Sequence, residues 1–146
     1  MRKLAPVPLL LFGLLATVAA AAQSLPPAVQ NNPDVPKNLK PYFVGLLIEP
    51  EQKLPALSPE EQQRLFQQHV AYIRSQVEAG KYAVAGPLLD NGRIGGLVII
   101  NAVSAEEAKK LLNNDPLVKA GRFASEVHPA MFADLSGVHA QYAPAK

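Results

Sequence analysis

Tyr82-Ala83-Val84-Ala85-Gly86-Pro87-Leu88-Leu89-Asp90-Asn91-Gly92-Arg93-Ile94-Gly95-Gly96-Leu97-Val98-Ile99-Ile100-Asn101 is the stretch that decides the fold. Val, Ile and Leu fill both arms. Asn91-Gly92 between them offers the positive backbone angles that a tight hairpin turn wants. Two antiparallel strands follow. On each side of this hairpin lies one helical segment, and beyond each helix one more strand, so the chain order is β-α-β-β-α-β.

The upstream helix starts at Ser58-Pro59-Glu60-Glu61. Ser58 caps, Pro59 suits the first helical position, and Glu61 completes a capping box. It runs to about Ala79, where Gly80 supplies the stop. At about 100° per residue, Leu65, Phe66, Val70, Ile73 and Val77 form one apolar stripe. His69 falls inside that stripe, away from the polar back of Gln67, Gln68, Ser75 and Glu78.

Downstream, Ser104-Ala105-Glu106-Glu107 repeats the capping logic. That helix reaches about Leu112, with Ala108, Leu111 and Leu112 inward. Asn113-Asn114-Asp115-Pro116 breaks it, and residues 117–121 fit one more turn. The outer strands are Tyr42-Phe43-Val44-Gly45-Leu46-Leu47-Ile48 and residues 123–132. His128-Pro129 inside the last strand implies an edge position or a bulge.

This order predicts an α+β, ferredoxin-like domain: a four-stranded antiparallel sheet with two helices on one face. A sheet covered on one face should alternate apolar and polar residues. These strands do not alternate. Phe43 and Leu47 are as apolar as Val44, Leu46 and Ile48, and Leu97-Val98-Ile99-Ile100 is apolar throughout. The second face therefore needs a cover, most simply the same face of a second copy, a homodimer.

The chain has 146 residues and no visible repeat, so one domain is expected, over residues 41–132. Arg2 and Lys3, the apolar run 4–20 and Ala20-Ala21-Ala22 read as a signal peptide over residues 1–22, cleaved after Ala22. The rival is an uncleaved anchor helix, which a run this short barely allows. Cleavage predicts a secreted or periplasmic protein with no stable membrane insertion. Residues 23–40, with Pro26, Pro27, Pro33 and Pro36, read as a tether, and residues 133–146 as a C-terminal tail.

Cleavage would remove two of the 14 basic residues and leave 12 against 12 acidic ones. A neutral mature chain argues against nucleic acid as a partner, which needs clustered positive charge. There is no Cys, hence no disulfide, thiol nucleophile or thiolate metal site. No glycine-rich phosphate loop and no nucleophile-elbow Ser is present. Three His without close spacing make no metal motif, so neither metal nor organic cofactor is expected.

His69 and Asp115 are the candidate catalytic residues. Singly, each has a plainer explanation: a His on an apolar stripe packs in the core, and an Asp before Pro caps a turn. Together they form a stronger case, because a His held by a carboxylate has a fixed tautomer and suits a general base. Gly86-Pro87 is expected to break the strand ladder and open the backbone beside a small-molecule pocket. His128 and His139 are weaker candidates.

Tyr42-Phe43-Val44, Gln68-His69-Val70-Ala71-Tyr72-Ile73, Ala85-Gly86-Pro87-Leu88, Gly95-Gly96-Leu97-Val98-Ile99 and Asn114-Asp115-Pro116-Leu117-Val118 resemble, in that order, the YciI-like (YCII-related) family. The resemblance covers essentially the whole folded part. It implies a dimeric α/β barrel, like that of muconolactone isomerase and its relatives, with a site in each protomer around a His and an Asp, here His69 and Asp115. Some family members resemble lyases acting on chlorinated hydroxy-aromatics. A signal peptide and two tails depart from the short family pattern. Two functions remain in view: a cofactor-independent lyase or isomerase with His69 as base, and a non-catalytic binding or structural dimer with His69 as packing.

Overall fold

β1 (Lys40–Ile48) runs through the middle of the sheet, and the rest of the chain is layered on it. The structure is a computed structural model that describes residues 32–52 and 54–141. The expected signal peptide over 1–22 and the start of the tether lie outside the described residues. After β1 come α1 (Pro59–Glu78), β2 (Tyr82–Pro87), β3 (Ile94–Ile100), α2 (Ala105–Asn113), α3 (Pro116–Lys119) and β4 (Ala124–Phe132). All pairings are antiparallel and the sheet order is β2-β3-β1-β4. This is the expected ferredoxin-like α+β domain, with the extra turn after α2 present as α3.

The core lies between the sheet and the helices. Phe43 and Leu47 of β1, Val98 and Ile100 of β3 and Tyr82 of β2 meet Ile73 of α1 and Ala108 and Leu112 of α2. Burying each large side chain stabilises by about 1.5–3 kcal/mol. Gly45 sets the closeness of the layers. A Cβ there would lie 3.0 Å from Ile100 Cδ1 and 3.1 Å from Leu112 Cδ2, so only Gly lets Leu112 sit this deep.

Local chemistry explains the helix ends. Ser58 and Glu61 make the reciprocal capping box expected of α1. At α2 the box is different. Ser104 accepts from the Glu107 N–H at 3.2 Å, but the Glu107 carboxylate accepts from the Val103 N–H and from Lys81 Nζ, both at 2.9 Å. That ties the start of α2 to the turn after α1.

The hairpin is looser than expected. Six residues, 88–93, separate β2 from β3. Only Asn91 takes a positive φ, 54°, and Gly92 does not. Asp90 Oδ1 accepts from the Gly92 N–H at 3.0 Å, an Asx turn that does the work a two-residue turn would have done. Gly86-Pro87 does not break the ladder either. Gly86 pairs with Leu97 and Pro87 with Gly96. Pro is tolerated because β2 is an edge strand and Pro87 is its last residue. The irregularity that matters lies in β3: Leu47 pairs with Gly96 and Ile48 with Ile94, so Gly95 is bulged. β4 is the other edge, as Pro129 requires, and pairs with β1 without a register shift.

The far face of the sheet carries Val44, Leu46, Leu97 and Ile99, with Glu126 and His128 of β4 alongside. The tail is not patternless. The Leu135 N–H donates to the Tyr42 hydroxyl at 2.9 Å and Lys40 pairs with Asp134, which fastens the first tail residues to the start of β1. Among the described residues, no helix is long and apolar enough to cross a membrane.

Candidate active site

α3 is only four residues long, and its N-cap is Asp115. Pro116 suits the first helical position, and Asp115 Oδ1 accepts from the Leu117 N–H at 2.8 Å. The plain capping role is therefore real. Asp115 is also completely buried, the one charged side chain in the core among the described residues. A buried carboxylate must be met by donors on both oxygens, because an unmet charge there costs several kcal/mol. The second donor comes from α1, against which α3 packs. His69 Nδ1 lies 2.7 Å from Asp115 Oδ2.

The two sequence-predicted residues thus meet, across 46 positions of chain. With the carboxylate ionised and the imidazole neutral, Nδ1–H donates to Asp115 and the lone pair is left on Nε2. The His69 side chain is 16 % exposed and lines a cavity of about 840 Å³. That volume is within the usual range of small-molecule sites. Burial pushes the Tyr72 and Tyr82 phenols upward, and the Asp115 charge adds a smaller push to each. The Tyr72 hydroxyl donates to the Leu111 carbonyl at 2.6 Å. Tyr82, whose ring stands edge-on to Tyr72 at 6.4 Å, has a buried hydroxyl with no partner in hydrogen-bonding geometry.

The cavity opens between the N-terminal half of α1, the ends of β2 and β3, and the turn after α3. Leu65, Phe66, Val70 and Ile73 form its helical wall, and Ala85, Gly86 and Pro87 one rim. Gly86 and Pro87 are therefore at the cavity, although not by breaking the strand. A side chain at Gly86 would meet nothing within 4 Å. Gly95 is the glycine that shapes the floor. The Phe123 ring rests on it so closely that a Cβ would fall 2.5 Å from Phe123 Cε1.

Sequence periodicity missed three features. Phe66, assigned to the buried stripe, is 54 % exposed, because the cavity separates this part of α1 from the sheet. Phe123 and Arg122 line the cavity from a turn with no periodicity to read. The only available signal was Gly121, whose φ of 69° marks a sharp chain reversal just before them. His128 and His139 lie apart from the cavity and are exposed. His128 Nε2 is 3.4 Å from Glu126. Among the described residues, no three His, Asp or Glu side chains gather into a metal-binding group.

None of the curated proteins matches this chain significantly. Among solved structures, the chain is similar to the 5-chloro-2-hydroxyhydroquinone dehydrochlorinase of Burkholderia phenoliruptrix, solved with 2,5-dihydroxybenzoquinone. The identity is 26 %, over 60 % of this chain and 90 % of that one, with a TM-score of 0.45. Residues 42–129, from within β1 to within β4, match the YCII-related domain, and the chain belongs to that family.

Proposed function

We propose that this protein is a cofactor-independent enzyme of the lyase or isomerase type, in which His69 removes a proton from a small molecule held in the cavity. One observation carries this: the 2.7 Å contact of His69 Nδ1 with the buried Asp115 carboxylate, on a His that lines a mostly apolar cavity. Asp115 fixes the tautomer and orients the ring. Nε2 takes the proton, and the imidazolium that forms is stabilised by the carboxylate behind it. Suitable substrates lose a proton to give an enolate or a phenolate, which includes hydroxy-aromatic compounds. Gly86 and Pro87 bind at the rim. The test is a panel of enolisable ketones and chlorinated hydroxy-aromatics, followed by proton NMR in deuterated water for exchange or elimination. Native protein should act on at least one compound and His69→Ala on none. Activity that survives His69→Ala would refute the assignment.

Two further parts belong to the same proposal. The protein is exported, with processing near Ala22, on the strength of the basic start and apolar run. It acts as a homodimer whose protomers share the far sheet face, because Val44, Leu46 and Leu97 form an apolar patch of the kind that marks an interface. A mature protein still starting at Met1, or a stable monomer in sedimentation, would refute these parts separately.

A further inference from the structure

Arg122 has no task in the proton transfer, yet it lines the same cavity. Gly121 turns the chain out of α3, and the Arg122 N–H closes that turn on the Leu117 carbonyl at 2.8 Å. The backbone is thereby fixed and the long side chain crosses to the loop before α1. There Nη1 donates to the Pro55 carbonyl at 2.8 Å. Nε is buried and has no partner. No described carboxylate forms an ion pair with this guanidinium. Glu61 feels its charge, but that carboxylate is committed to Ser58, accepting from its N–H at 3.1 Å and its hydroxyl at 3.0 Å.

This partly exposed guanidinium, with no carboxylate paired to it, stands beside apolar walls and would gain a charge-assisted partner from an anion brought into the cavity. We propose that the cavity takes a small carboxylate with a planar, apolar body, and that Arg122 binds the carboxylate. The proposal rests on the cavity being a ligand site, as above, and adds the charge of the ligand. Nη1 is held by the Pro55 carbonyl and Nε is buried, so Nη2 is the nitrogen left to meet a carboxylate oxygen in a charge-assisted hydrogen bond. Phe66 at the mouth and Phe123 at the floor offer flat apolar surface to the remainder of the ligand.

The test titrates the full chain with benzoate and with benzamide, which share a ring and differ in charge, and follows the amides of Leu117, Arg122 and Phe123 by NMR. Benzoate should bind about 10- to 100-fold more tightly than benzamide, the range for a charge-assisted pair. Arg122→Gln should erase that preference while benzamide binding stays the same. Equal binding of the two probes by the native chain, or no binding of benzoate at millimolar concentration, overturns the proposal even if the Gln variant fails to fold. A preference that persists in folded Arg122→Gln overturns it too. His69→Asn should keep the preference for benzoate, so loss of the base assignment and loss of the carboxylate site are read separately.

Discussion

Replacing Asp115 by Asn tests the site at its most constrained point. Asp115 is fully buried and holds two donors, the Leu117 N–H at 2.8 Å and His69 Nδ1 at 2.7 Å. Asn keeps the size but offers one oxygen and one NH2. The oxygen should stay with Leu117, since turning the NH2 toward that buried donor leaves it unmet at about 1–3 kcal/mol. The NH2 then faces His69. Nδ1 must become an acceptor, and the ring proton moves to Nε2. The cavity now meets an N–H where it met a lone pair, so turnover should fall on the order of 10²–10⁴-fold. Stability should fall by only about 1 kcal/mol, the difference between a charge-assisted and a neutral hydrogen bond. Asp115→Ala differs in kind. It removes the cap, about 0.5–2 kcal/mol, and the charged bond, about 1.5–3 kcal/mol, so the loss should reach roughly 2–5 kcal/mol. Side-chain nitrogen NMR reads the tautomer, and urea unfolding reads the two stabilities. An Asn variant that keeps its proton on Nδ1, or an Ala variant no less stable than the Asn variant, would refute the reasoning.

Neighbouring residues on β1 should respond in opposite ways. Leu47→Lys buries a charge in the helix-covered core, where Leu47 is 5 % exposed, and should unfold the domain, whereas Leu46→Lys, on the far face, should leave it folded but monomeric by sedimentation. Gly95→Ala should push Phe123 off the β3 bulge and deform the cavity, visible as shifted Phe123 ring resonances with most of the melting temperature retained. Hydrogen bonding to Lys40 holds the Asp134 carboxyl down at about 2, from an ordinary value of 3.8. A carboxyl lowered by folding supports the folded form above its unfolded value and loses that support as pH falls through about 2. The attachment of the tail, read at the Leu135 amide, should therefore persist at pH 4 and loosen only well below pH 3; loosening already near pH 5 would count against it. The pair is solvent-exposed, so global stability should hardly move.

The fold was readable because its signals are local. Ser58-Pro59 with Glu61 marks a helix start whatever packs around it, and Pro129 confines its strand to an edge. Two-sided apolar strands such as Leu46-Leu47 announced that both faces of β1 matter. The hairpin was read too tightly because Asn-Gly is a strong local signal, yet the Asp90 side chain bonds to the Gly92 N–H and sets a longer loop. His69 and Asp115 could be named singly, but their meeting depends on how α3 docks on α1, which no spacing encodes. Arg122 and Phe123 were not foreseen. Their positions follow from the reversal at Gly121 and the bulge at Gly95, both of which act through space.

Because one carboxylate holds both the first turn of α3 and the imidazole, opening that turn also releases the imidazole. Local opening of that turn frees the Leu117 N–H to solvent and at the same moment leaves Asp115 misplaced for His69. Hydrogen exchange at the single Leu117 amide therefore reports the openings of that turn, each of which dismantles the site. A ligand that needs the assembled form must slow that exchange by the factor 1 + [L]/Kd, which makes one backbone proton a gauge of affinity for compounds whose reaction is still unknown.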